Sequence, residues 1–330
     1  MNVSRHPLFS FRRSPPEGCA VYFGGPPRQA AMMDIATPIQ KPAFGPQDVI
    51  AVIAMNLLWG LNVVAVKVSV DAVSPMTAAF LRQTIVLLVC ASALRIVPGK
   101  MRALTALGLL SGGAFYLALN LSLAVSTNVG ALAIAGQLGV PFALLLSIAI
   151  FKERIHWPRM TGIALSLLGV GILVFDPAAG NELLGLGLTA LGSLFWAIGS
   201  LIQRRLTGVR ILTIYAWIGL WGSVTLGLAA WAFEPAAVAA IPDIPLHTLA
   251  WIAFSAIGST VMAHGAMTWL LQRHAVGVVT PLTLAAPVIS VFTASWYFNT
   301  PVTAIMLIGG ALAMLGVAIV TIRTARAPAV

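Results

Sequence analysis

Charge is what this sequence has least of. Only 8% of its 330 residues are Asp, Glu, Lys or Arg, against about 25% in soluble domains. With 59% hydrophobic residues, most of the chain has to meet lipid or other lipid-embedded helices. Acids are scarcer still: nine Asp and Glu face 19 Lys and Arg, for a net charge of +10. No acid falls midway along any long apolar stretch, which excludes a carboxylate proton relay of the usual kind. The two cysteines, Cys19 and Cys90, lie in a polar tail and in an apolar stretch. No Cys/His spacing suits a metal, so neither a disulfide framework nor a metal or cofactor site is predicted. No phosphate-cradling P-loop is present, so any driving energy has to come from gradients. His6, His156, His247, His264 and His274 are scattered, which argues against an integral-membrane enzyme.

What is abundant is long apolar sequence. A membrane helix needs about 20 apolar residues to cross about 30 Å of hydrocarbon. Ten segments qualify: 49–67, 75–95, 103–124, 128–150, 158–175, 184–203, 211–233, 248–271, 275–298 and 301–322. Lys and Arg alternate across them. Arg95, Lys100 and Arg102, then Lys152, Arg154 and Arg159, then Arg204, Arg205 and Arg210, then Arg273, and finally Arg323 and Arg326 fill every second gap. The other gaps hold Asp71, Asp176, Glu182, Glu234 and Asp243 and no Arg. Cytoplasmic loops carry the excess of Lys and Arg, so both chain ends are predicted to be cytoplasmic, in a bacterial inner (plasma) membrane. The basic residues then meet anionic headgroups, and membrane lipids rather than nucleic acid are the expected partners. Residues 1–47, rich in Pro, Gly, Arg and Ser, read as a disordered cytoplasmic tail, and 323–330 as a second tail. Met32 and Met33 leave open whether residues 1–32 belong to the mature protein.

An internal repeat is legible. Gly162, Ser166 and Gly169 in segment five match Gly309, Ala313 and Gly316 in segment ten. Pro141 in segment four matches Pro287 in segment nine, and Trp59 with Lys67 matches Trp196 with Arg204. The halves, 48–176 and 183–322, each hold five segments. An odd number of crossings makes them enter the membrane from opposite sides, the inverted plan of many secondary transporters. The expected fold is therefore an all-α membrane protein of ten transmembrane helices in two inverted five-helix repeats around a central cavity.

Leu57-Leu58-Trp59-Gly60-Leu61-Asn62 with Lys67, Phe80-Leu81-Arg82, and Pro141 with Phe151-Lys152-Glu153-Arg154 carry a resemblance over about residues 48–322. Pro287, Gly309-Gly310 and Gly316 extend it into the second half. The sequence resembles EamA-type ten-helix members of the drug/metabolite transporter superfamily. The resemblance implies two five-helix repeats, a central cavity and, often, export of amino acids or related metabolites. One departure stands out. The family's glutamate matching Glu153 in the second repeat is missing from Tyr297-Phe298-Asn299-Thr300, so no role for paired glutamates is expected. Glu153 itself, between Lys152 and Arg154, reads as a local interfacial ion pair.

The candidate cavity residues are Trp59, Asn62, Arg82, Gln137, Trp196 and His264. Arg82 lies roughly 10 Å into segment two, where a charge is costly unless paired or wet. It either faces a cavity and attracts a carboxylate or snorkels to the interface. Lys67 ends segment one, where snorkelling and a pair with Asp71 are expected. Trp59 and Trp196 sit away from the interfacial belts where Trp is enriched and either line a cavity or pack. Asn62, Asn120 and Gln137 bind substrate or bond between helices. His264 either carries protons or packs. Pro141, Pro281 and Pro287 are candidate helix breaks. The predicted function is a secondary transporter, an exporter or facilitator of small polar metabolites such as amino acids, working by alternating access. Efflux of multiple or cationic drugs is the alternative, weakened because the buried charge is positive. An integral-membrane enzyme and a non-transporting scaffold are the alternatives of another class.

Overall fold

In hydrocarbon no water is available to backbone N–H and C=O groups, so a spanning chain has to satisfy them within helices or a closed barrel. The computed structural model takes the first route. It describes residues 45–151, 157–176, 182–274, 279 and 282–325, and among these there are helices and no strands. Eight helical runs are long and apolar enough to cross a bilayer: α1 (Pro46–Val73), α2 (Pro75–Ala93), α3 (Met101–Ala124), α4 (Val129–Ile150), α6 (Leu183–Gln203), α7 (Ile211–Phe233), α8 (Leu246–Leu270) and α10 (Ala304–Ile322). Two shorter apolar helices complete the order, α5 (Trp157–Leu173) after α4 and α9 (Ala285–Phe298) before α10. The chain is an integral membrane protein.

Several boundaries differ from the sequence reading. Helix α1 continues to Val73, so Lys67 does not end it. Lys67 is buried, and its ammonium donates to Asp71 Oδ1 at 2.8 Å and to the Leu123 carbonyl at 2.9 Å rather than snorkelling to water. Helix α9 covers Ala285–Phe298; ahead of it in the predicted segment Val279 and Leu282 are also helical, and residues 275–278 and 280–281 lie outside those described. The 14 residues of α9 rise only about 21 Å. Pro287 stands in its first turn, where the missing N–H costs no internal bond, and a turn at residues 283–284 precedes it. Helix α4 is interrupted by a tight turn at Gly136–Leu138, and Pro141 follows it in the first turn of Gly139–Phe151. Pro281, Glu153, Cys19 and most of the two predicted tails lie outside the described residues; the tails are shorter than predicted, since residues 46–47 already belong to α1 and the last helix runs on to Ala325.

Packing follows from small residues. Helices α5 and α10 cross backbone to backbone. A Cβ on Gly169 would stand 2.4 Å from the Ala313 nitrogen, and one on Gly316 would stand 2.4 Å from the Ser166 nitrogen. Helix α2 packs along α7, α1 along α9 and α8, and α6 along α3 and α4. Three acids of the sparsely basic gaps bond at the starts of helices. Glu234 accepts from the Met76 and Thr77 amides at the start of α2 (3.0 and 2.8 Å), and Asp176 accepts from Thr303 ahead of α10. Glu182 accepts from the Thr127 and Asn128 amides ahead of α4, at 2.8 and 2.9 Å.

Burial pushes the Glu182 carboxyl up, but the bonds from Thr127 and Asn128 outweigh it and hold it below the usual carboxylate range. A depressed folded-state value means that this contribution is fully present above about pH 4.3, the ordinary glutamate value, and is lost as pH falls through the lower folded one. Thermal unfolding in detergent should therefore show a larger acid-induced loss of stability for the native chain than for Glu182→Gln. Identical profiles would refute this role for the cap.

Candidate functional site

A polar cavity of about 380 Å³ lies between α1, α2, α3, α6, α7 and α8. Its lining runs from Arg82 and Tyr116 at mid-helix to Gln203 and Ile211, which flank the basic stretch Arg204–Arg210. Beyond it, toward the junction of α1 and α2, lies an apolar layer that includes Val66, Val70, Leu123, Leu132, Val291 and Met306. At the basic end the apolar clusters are split instead. One joins α3 to α7 through Leu104, Leu107, Ile214 and Ile218, and another joins α1 to α8 through Met55, Ala263 and Leu270.

Among the described residues Arg82 is the one cation that lines the cavity. It is 4% exposed, so it does not snorkel. Its Nη2 donates to Thr260 Oγ1 at 2.8 Å and to Tyr116 Oη at 3.3 Å, and its guanidinium lies 4.4 Å from the Tyr116 ring centre. Among the described residues no carboxylate pairs with it, and its Nε and Nη1 have no partner. A buried cation held by neutral acceptors and a π face has donors left over that suit an anionic group.

The α8 side of the cavity is shaped by a widened helical stretch. Residues Phe254–Ala263 bond i to i+5, a geometry that recurs at functional sites. The sequence-predicted residues converge on it. The Ser255 hydroxyl donates to Asn62 Oδ1 at 2.7 Å, the Trp59 indole donates to the Ser259 carbonyl at 3.3 Å, and Arg82 reaches Thr260. His264 Nδ1 lies 3.0 Å from the same Ser259 carbonyl. A carbonyl only accepts, so Nδ1 carries the proton, and a neutral ring keeps its lone pair on Nε2. The His264 ring also meets Trp59 edge-on (5.0 Å between centres) and Tyr215 (5.6 Å).

Trp196 lines the opposite wall with 42% of its surface exposed, its ring lying against Gly139. Gln137 does not join the others. It lines a separate apolar recess of about 190 Å³ among α4, α9 and α10, with Pro287, Phe292 and Met306. The tight turn at Gly136–Leu138 rotates it away from the centre. Asn120 bonds its own helix at the Tyr116 carbonyl (3.0 Å) and reaches only a small void behind Arg82.

Sequence reasoning missed Tyr116, Tyr215, Thr260 and Ser111. The chain has only four Tyr; Tyr116 stands well inside an apolar segment and Tyr215 in the second turn of another. A phenol there needs a partner, and that was the available signal.

The description of the EamA-like transporter family matches the chain twice, over residues 48–175 and 183–322. A probable amino-acid metabolite efflux pump of Escherichia coli (strain K12) is 24% identical over 278 residues, covering 82% of this chain and 93% of the relative. A protein of the same description from Salmonella typhimurium is 26% identical, covering 79% of this chain and 90% of its own length. An uncharacterized transporter of Archaeoglobus fulgidus is 26% identical, covering 79% and 94%. Among solved structures, one crystal structure superposes with a TM-score of 0.59 at 20% identity, covering 85% of this chain and 99% of its own; that likeness concerns the fold.

Proposed function

Because the chain belongs to the EamA-like transporter family, we propose that it is a secondary exporter or facilitator of small carboxylate-bearing metabolites, amino acids first among them. The observation that carries this reading is Arg82, buried at the cavity with two nitrogens, Nε and Nη1, lacking partners among the described residues. The substrate carboxylate takes those donors. Trp59, Trp196 and Tyr215 hold its apolar part, and the His264 Nε2 lone pair and Asn62 face its amino group. The likeness to probable amino-acid metabolite efflux pumps supports the same class. No acid lines the cavity among the described residues, which disfavours lipophilic cations. The chain is then a carrier rather than an enzyme.

The architecture of the proposal is ten crossings in two inverted five-helix repeats, with α5 and α9 crossing as the short members. The two family matches support it. So does the paired design of the halves: wide i to i+5 turns occur in the third helix of each, at Gly108–Ala114 and Phe254–Ala263. Asn62 meets Ser255 across α1 and α8, and Gly199 meets Ser111 across α6 and α3. Both chain ends lie in the cytoplasm of a bacterial cell, by the Lys and Arg bias of the loops. The cavity then faces the cytoplasm, the side from which an exporter loads.

Purified protein in liposomes, offered amino acids, nucleosides and cationic dyes, tests the reading. Saturable amino-acid flux with no dye flux is expected. Dye flux without amino-acid flux would refute it, as would no flux at all. A reporter fused after Asp176 should be extracytoplasmic, and a cytoplasmic signal would refute the inverted arrangement.

A further inference from the structure

Arg82 borders two spaces. One is the main cavity; the other is a void of about 10 Å³ on its far side, lined by Ser69, Asn120 and Ser255 together with Val66, Ala78 and Ile252. That is room for one water. The three polar residues are 3%, 2% and 2% exposed. Each has spent a donor: Ser69 on the Ala65 carbonyl, Asn120 on the Tyr116 carbonyl, Ser255 on Asn62. Their oxygens remain as acceptors, and Arg82 brings donors. The gap sets three polar side chains between the cavity and the apolar layer.

Further in that direction lies a second buried cation, Lys67. Leu123, whose carbonyl receives the Lys67 ammonium, lies three residues beyond Asn120 on α3, about one turn. Lys67 is also paired with Asp71, whose side chain is 50% exposed. The succession is Arg82, polar void, Lys67, Asp71, open surface. Lys67 at the same time ties α1 to the end of α3, so it closes the route that its charge would otherwise attract an anion along.

We propose that the void is the collapsed far half of the permeation path, and that Lys67 is a second station that takes the substrate carboxylate from Arg82 when its bond to Asp71 opens. The departing carboxylate replaces the Asp71 carboxylate on the ammonium, so the buried cation is never left without an anion. This rests on the proposal that carboxylate-bearing solutes are carried.

The test uses the full chain in liposomes, with Cys19 and Cys90 replaced by Ala and Ser69→Cys introduced. A membrane-impermeant methanethiosulfonate applied from the Asp71 side should modify Cys at position 69 slowly, and about ten-fold or more faster once Asp71→Asn is added. Asp71 is half exposed, so that variant disturbs no core. Equal rates with and without Asp71→Asn, while amino acids still cross, would overturn the gate and leave the substrate reading intact. Faster modification with no amino-acid flux in any variant would leave the gate and overturn the substrate reading. For the second station, Lys67→Gln should lower maximal flux about ten-fold or more with half-saturation from the Arg205 side within two-fold, and Lys67→Arg should restore it. Equal loss in Lys67→Gln and Lys67→Arg would overturn the station.

Discussion

Arg82→Ala is expected to lower amino-acid flux by at least about 100-fold while leaving expression, insertion and thermal stability near those of the native chain. The two halves of this expectation have one cause. A buried guanidinium without an acid among the described residues is an uncompensated charge, and such a group in a membrane protein costs folding free energy. Replacing it therefore removes a burden from the fold. What is lost is the positive charge at the cavity wall, and with it about 3 kcal/mol or more from a charge-assisted, two-donor contact. Arg82→Lys keeps the charge but loses the planar pair of donors, so it should recover only part of the flux, with weaker half-saturation. A variant that transports normally would remove Arg82 from the site. A variant that aggregates would show that the Thr260 and Tyr116 bonds support the fold more than the cavity.

Gly169→Leu is expected to have the largest effect on the fold. The α5–α10 crossing brings backbone against backbone, and a Cβ at position 169 would sit 2.4 Å from the Ala313 nitrogen and 2.5 Å from the Gly309 carbonyl oxygen. Neither atom belongs to a flexible side chain, so the helices have to separate. Overpacking a fitted interface costs about 1–3 kcal/mol and more when the backbone has to move. Gly171, two residues away on the same helix, has open space where its Cβ would stand. Gly171→Leu should therefore leave the melting temperature in detergent unchanged, whereas Gly169→Leu should lower it clearly or prevent recovery of monodisperse protein. Equal behaviour of the two would mean that the crossing contributes little.

The membrane helices were legible because apolar length and loop charge are one-dimensional signals. Most predicted ends of α3, α6, α7 and α10 fall within three residues of the observed ones. The repeat signals also point to real places: the glycines of segments five and ten meet each other, and Pro141 and Pro287 each open a helix after an interruption. What the sequence concealed depends on rotation about a helix axis. Gln137 and Asn62 look alike in a string of apolar residues, yet a three-residue tight turn sends one to a peripheral recess, while α1 runs unbroken and keeps the other at the centre. The i to i+5 turns of α3 and α8 have no strong sequence signature, and they decide which carbonyls Trp59 and His264 reach. Lys67 was misplaced for a similar reason. A Lys followed by an Asp resembles a helix end, but Ser69, Val70 and Asp71 continue the helix toward a one-residue turn at Ser74.

The central claim is that a carboxylate binds beside Arg82. Uptake of one radiolabelled amino acid into liposomes preloaded with unlabelled amino acid, measured with the free acid or its methyl ester as competitor, tests it most directly. The account predicts that the free acid competes and that the ester, identical except for the anionic group, competes at least about ten-fold more weakly. An ester that competes as well as the acid would contradict it.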